Sequence, residues 1–336
     1  MRVLIKGAGV AGLTTAHELA AHGADVLLIE KNPAPGGGAS WFAGGMLAPF
    51  CERESAEETV VTWGRHAAGW WEETLPGTVA FNGTLVVAPP RDAAELTRFA
   101  ARTRGHLQLD ADGVAALEPE LSGRFRAGLH FVDEAHLDPR QTLLRLHAKL
   151  ASMGVRSIFD CSAPSSGDEF DAVVDCTGMA AAGVLPQLRG VRGEMLYLET
   201  SELSLSRPVR LIHPRFPVYI VPRGDGRFMV GATMIETSSS GPVTARSMME
   251  LLNAAYALHP AFGEARVVEA SSGVRPAYDD NLPRIVRRGN TLFVNGLYRH
   301  GFLLAPALAQ QVAKIILAEG YEKEGTDEDR RQWRSA

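Results

Sequence analysis

Two sets of residues in this 336-residue chain have the types and spacing to do chemistry. The first is Gly7-Ala8-Gly9-Val10-Ala11-Gly12, with Glu30 eighteen residues beyond it. In such a set the first glycine permits a tight turn and the second lets backbone approach a pyrophosphate. The third lets a helix pack closely on a strand, and the carboxylate can accept ribose hydroxyls. Glu30 also argues against a 2′-phosphate, which it would repel. The second set is a pair of arginines: Arg275 in Ser271-Ser272-Gly273-Val274-Arg275-Pro276-Ala277, and Arg299 in Asn295-Gly296-Leu297-Tyr298-Arg299-His300-Gly301-Phe302. A guanidinium keeps its charge, so in an apolar, glycine-bracketed turn it is costly unless a carboxylate answers it. That carboxylate belongs either to the protein, the commoner case for a lone arginine, or to a ligand held through paired hydrogen bonds. Ten histidines contain no HxxxH or HExxH set and three cysteines no CxxC pair, so neither a metal nor a disulfide framework is expected.

Strand, turn, helix and second strand would position the first set. Arg2 to Lys6 is a short apolar run, Leu13, Ala16, Leu19 and Ala20 recur at helical spacing up to His22-Gly23, and Asp25 to Ile29 finishes at Glu30. An NAD-type lobe would continue into another helix and strand. Residues 31–49 run instead through small residues with Trp41, Phe42, Met46 and Leu47 among them, a backbone suited to lie along the larger FAD. Further on, Leu137-Asp138-Pro139-Arg140 opens a helix, Gln141 to Met153, with Leu143, Leu144, Leu146, His147 and Leu150 on its recurring positions. Residues 171–178 read as a strand ending at Thr177-Gly178, and 191–268 as a β-rich region with strands at 193–198, 218–222 and 228–233. Tyr219 and Met234 within it are ordinary strand and core residues by type alone. Pro276 is expected to turn the chain after Arg275, and Glu52 to Glu58 to form a solvated loop, with a part in an active-site lid as the alternative. Trp70-Trp71 and residues 84–89 are expected in the core, and an apolar helix to begin at Gly301.

A hydrophobic fraction of 46%, a charged fraction of 22% and a net charge of -5 describe a globular, enzyme-sized chain, and its length suggests two lobes. Lys and Arg are scattered, without the basic stripe that nucleic acid or an anionic membrane would require. No apolar run is read as reaching the roughly 18 residues of a spanning helix. Glycines break the apolar N-terminus where a signal peptide would have its core, so a reducing, cytoplasmic setting is expected.

The Gly7–Gly12 turn, Glu30-Lys31, Ala39-Ser40, Ala43-Gly44-Gly45-Met46 and the two arginine motifs resemble the D-amino acid oxidase superfamily, and within it the glycine oxidases of thiamin biosynthesis. The resemblance runs from Arg2 to about Leu317. It implies an α/β fold: a Rossmann-like FAD-binding domain of the GxGxxG type with an inserted α+β substrate domain built on a largely antiparallel sheet. Residues 1–80, 137–180 and 270–336 would form the first, and 81–136 and 181–269 the second. The FAD would be noncovalent, since no cysteine follows Cys176 to tether it. The resemblance places it against Gly7, Gly9, Val10, Ala11, Gly12, Glu30, Lys31, Ala39, Ser40, Gly44, Gly45, Met46, Thr177, Gly178, His300, Gly301, Phe302 and Leu303. Asp175 and Cys176 stand where the family has small residues, and the short connection 159–170 leaves the adenine contact unassigned.

For the substrate, the resemblance puts Arg275 on an amino acid carboxylate with Arg299 near it, and Tyr219 and Met234 facing the flavin. Met46 and Met234 would limit side-chain room. The implied reaction is oxidation of glycine or another small amino acid: the Cα hydrogen leaves as hydride toward flavin N5, an imine forms, and O2 becomes H2O2. A neutral amine would need no side-chain base. D-amino acid or sarcosine-type oxidation stays open, because a methylene is worth only about 1–3 kcal/mol of discrimination. So does an amine dehydrogenase using another acceptor, as does a homo-oligomeric state, which is frequent in the family.

Overall fold

The computed structural model describes residues 1–164, 169–213 and 217–324. Residues 165–168, within the connection that bears on the adenine, and the charged tail 325–336 lie outside the described residues. The strand Arg2–Lys6 is central to a six-stranded sheet because Val3, Leu4 and Ile5 can be buried on both faces. It pairs in parallel with Asp25–Ile29 on one side and Ala172–Asp175 on the other. Arg156–Ile158 extends one edge and Thr291–Asn295 the other, both parallel, and Arg284–Arg288 closes that edge antiparallel.

Helix Val10–Ala21 follows the first strand at once, and the third glycine makes this possible. A Cβ at Gly12 would collide with the backbone carbonyl of Gly7, itself at φ +98°. Beside this helix packs Gly301–Glu324, whose Phe302, Leu303, Leu308 and Val312 share one core with Val3, Ile5, Leu13 and Leu19. Contrary to the sequence reading, Gly301–Ala318 is long and apolar enough by composition to cross a bilayer, with a mean hydropathy of 1.5. Its apolar side chains serve the core instead, Leu304, Leu308, Val312 and Ile316 being fully covered. Trp71 is buried against its first turn and donates from Nε1 to the Phe302 carbonyl at 2.8 Å, whereas Trp70 is only partly buried.

The second sheet has nine strands, in the order Ile235–Glu236, Arg189–Glu199, Arg227–Gly231, Val218–Pro222, Val209–Leu211, Thr84–Val87, Ala127–Phe131 and Leu107–Asp110, with Arg266–Ala277 on the other side of Arg189–Glu199. All its pairings are antiparallel except that of Val209–Leu211 with Thr84–Val87. Leu85, Leu196, Leu198, Ile220 and Val230 form its core with Leu251 and Leu258 of helix Ala245–Leu258.

Two expectations are corrected here. Pro276 does not turn the chain: it continues the strand Arg266–Ala277 opposite Gly190, on a strand that pairs on one side only, where a missing N–H costs no ladder bond. The helix expected from Gln141 starts at Pro139, with the Asp138 side chain accepting from the N–H groups of Arg140 and Gln141. It buries Leu143, Leu146 and Leu150 and leaves Leu144 48% exposed. From its first turn Arg140 reaches the other sheet, donating to both carboxylate oxygens of Glu269 at 2.8 and 2.7 Å.

Candidate active site

A cavity of about 670 Å3 runs between the two sheets, and every site residue expected from the sequence lines it except Gly12, which spends its missing side chain on helix packing. At one end lie the glycine turn and Glu30. The helix at Val10 opens toward the cavity without a side-chain cap on Gly9, and the Val10 N–H donates to Ser40 Oγ at 3.1 Å. Glu30 is buried. Its Oε2 accepts from the Ala8 N–H at 2.7 Å and its Oε1 from Asn32 N–H and Nδ2 at 2.9 and 2.6 Å. A carboxylate has about four acceptor positions, so capacity remains for a hydroxyl. Thr177 is held by Asp175, whose Oδ1 accepts from its N–H and Oγ1 at 3.0 and 2.6 Å, and Gly178 adopts φ +60°.

Midway, residues 37–40 and 42–45, small apart from Phe42, form a wall of the cavity that is fixed from the larger sheet. Arg223, just after strand Val218–Pro222, donates to the carbonyls of Gly44 at 2.7 Å, Leu137 at 3.2 Å and Ala43 at 3.4 Å. Tyr219 of the same strand packs on Gly44, where a Cβ would come within 2.6 Å of Cε2 of its ring. Burial pushes the Tyr219 phenol up, so it stays protonated at neutral pH.

The far end is set by charge. Arg275 leaves the edge strand opposite Val191 and its guanidinium passes over Gly193, a position where any Cβ would strike it. Its Nη1 donates to the Thr233 carbonyl at 3.0 Å, and among the described residues it makes no ion pair. Burial without a counter-charge holds its pKa below the usual arginine value. Arg299 is different. It pairs with Glu52 at 2.8 Å, and its Nη2 donates to Ser55 Oγ at 2.6 Å. Met234, 49% exposed, has its sulfur 3.4 Å from Tyr298 Oη and 3.7 Å from Arg299 Nη1. Met46 lines the cavity partly buried, and His300 is buried at the start of the long helix, pushed down to about 4 by burial and so neutral.

Glu52 corrects the sequence reading most. The run 52–58 was expected in solvent, and Glu57 and Glu58 are there, but Glu52 is buried at the end of the short helix Pro49–Glu52. The guanidinium charges of Arg299 and Arg210, with the His300 imidazole close by, overcome its desolvation and hold its carboxyl at about 2. Arg210 was not singled out by sequence either. It sits buried between Val209 and Leu211, 3.5 Å from both Glu52 and Glu54. An arginine flanked by apolar strand residues was the available signal.

The model of the DAO family of FAD-dependent oxidoreductases matches residues 2–315. The chain belongs to this family. A Rhizobium etli protein provisionally named thiamine biosynthesis oxidoreductase ThiO is 64% identical over 319 residues, which are 95% of this chain and 97% of that protein. Glycine oxidase of Bacillus licheniformis is 26% identical over 356 residues, with 96% of this chain and 94% of the enzyme covered. Among solved structures, glycine oxidase from Bacillus cereus is similar with a TM-score of 0.79 at 22% identity, covering 94% of this chain and 97% of that one. As a DAO-family member the chain is an FAD-dependent oxidoreductase with an α/β fold. Its own residues fit the cofactor. The cavity is within the roughly 300–1,000 Å3 range of ligand pockets, the open side of Gly9 meets only Ser40 Oγ at 3.2 Å, and a helix N-terminus faces the space where phosphates are best received.

Proposed function

We propose that the protein oxidises glycine or another small amino acid at the Cα–N bond, and that the imine so formed serves thiamin thiazole biosynthesis. The single observation that carries this reading is Arg275, a desolvated cation without a protein carboxylate at the far end of the cavity from the dinucleotide turn. The amino acid carboxylate supplies the missing charge, and the paired geometry of the guanidinium orients the Cα. Tyr219 donates its phenolic hydrogen from the adjacent wall, and Met46 and Met234 restrict the room for a side chain. His300 is neutral and Glu52 is engaged by three basic groups, so neither is a free general base. That suits an amine that binds unprotonated.

The residues that would hold the cofactor are the Gly7–Gly12 turn with Ala39-Ser40 at the phosphates and Glu30 with Lys31 at the ribose. Thr177-Gly178, Gly44 to Met46 and His300 to Leu303 would enclose its other end. Bound FAD supplies a two-electron acceptor that O2 reoxidises, with release of H2O2. The 64% identity to the Rhizobium etli protein favours the thiamin role. The test is an anaerobic titration of the FAD-loaded protein with glycine, and D-alanine in a parallel cuvette. Bleaching of the flavin by glycine is expected; a flavin that D-alanine bleaches and glycine leaves oxidised would move the assignment to D-amino acids.

A further inference from the structure

Glu52 has no part in the reaction proposed above, yet it is the carboxylate that sets the charge balance at the substrate end. Three basic side chains surround it: Arg299 at 2.8 Å, Arg210 at 3.5 Å and His300 at 3.7 Å. Arg210 is answered a second time by Glu54, also at 3.5 Å. Among the described residues, Arg299 and Arg210 therefore balance Glu52 and Glu54, His300 is neutral, and Arg275 is the arginine of this group left without an ion pair. One carboxylate on the ligand completes the balance. A second would have to enter near Glu52 and Arg299, both of which line the cavity, where the available cation is already taken.

We infer that Glu52 is a specificity residue: by occupying Arg299 it confines the site to amines bearing one carboxylate and turns away those bearing two, such as iminodiacetate or acidic D-amino acids. The inference rests on the reading of this end as an amino acid site. An unpaired like charge built against the wrong ligand is a route to specificity separate from contacts that favour the right one. The Arg299 Nε is buried without a hydrogen-bond partner, so a guanidinium released from Glu52 has donors to offer a second anion.

Binding to the FAD-loaded protein is read from the flavin absorbance change, with acetate as the monocarboxylate and malonate as the dicarboxylate. The wild-type protein is expected to bind acetate and to bind malonate at least tenfold more weakly. In Glu52→Gln the malonate-to-acetate preference is expected to rise at least tenfold, a change of ratio that partial unfolding does not mimic. An unchanged ratio in a Glu52→Gln protein that retains its flavin overturns the inference. Equal binding of both ligands by the wild type overturns it without any variant, which covers a variant that does not fold. If acetate and glycine both leave the wild-type flavin unperturbed, it is the amino acid site itself that falls.

Discussion

The two ends of the cavity meet their ligand groups by opposite means. At the Gly7–Glu30 end the chain offers backbone: a tight turn, an uncapped helix start and one carboxylate already tied to Ala8 and Asn32. At the Arg275 end it offers charge, with three arginines and two glutamates brought together from four separate stretches. Backbone recognition is cheap and insensitive to pH, because N–H groups do not titrate. Buried charge is costly and must be balanced, and on the function proposed above a ligand carboxylate completes that balance.

Removing the unbalanced charge should have the largest effect. Arg275→Ala is expected to lower kcat/KM for glycine by a hundredfold or more, since truncating one partner of a buried charge pair costs about 2–5 kcal/mol. The flavin content should be unchanged; steady-state kinetics with a flavin spectrum checks both, and a loss of flavin would mean that the two ends are not separable. The converse probe is Gly12→Ala, whose new methyl meets the Gly7 carbonyl. It should cost about 1–3 kcal/mol of stability and release FAD, as read by thermal melting and the flavin-to-protein ratio.

A smaller effect should appear in pH. Burial pushes the Glu134 carboxyl, which accepts from the Cys51 N–H at 2.6 Å, up to about 8 from 4.5. Between those values the unfolded chain has lost a proton that the folded protein keeps, so this group's contribution to stability falls as pH rises from 4.5 to about 8. Glu134→Gln should flatten that slope, with a Tm above wild type at pH 8 and close to it at pH 5. Glu52 has the opposite sign: held at about 2, its contribution is full above 4.5 and is lost as pH falls toward 2.

The same contrast explains what could be read from the letters. Strands Arg2–Lys6 and Asp25–Ile29 were legible to the residue because turn, helix and strand follow one another within thirty residues. Arg275 and Arg299 stood out through the glycines around them. Glu52 did not, because in sequence it is one acid in a run of acids, and what buries it are Arg210 and Arg299, far along the chain. Pro276 misled because a proline is a break only where its N–H is wanted, and an edge strand does not want it.

Arg223 ties the small-residue wall to the larger sheet through the main-chain carbonyls of Ala43 and Gly44, and holds the neighbouring Leu137 by its carbonyl too, through no side chain of the wall itself. A joint made that way is blind to the identity of the residues it holds. Descendants of this chain can therefore exchange the side chain at Ala43, within the room the cofactor allows, and keep the joint, whereas Gly44 and Gly45 are held to glycine by the Tyr219 ring and the Leu137 carbonyl.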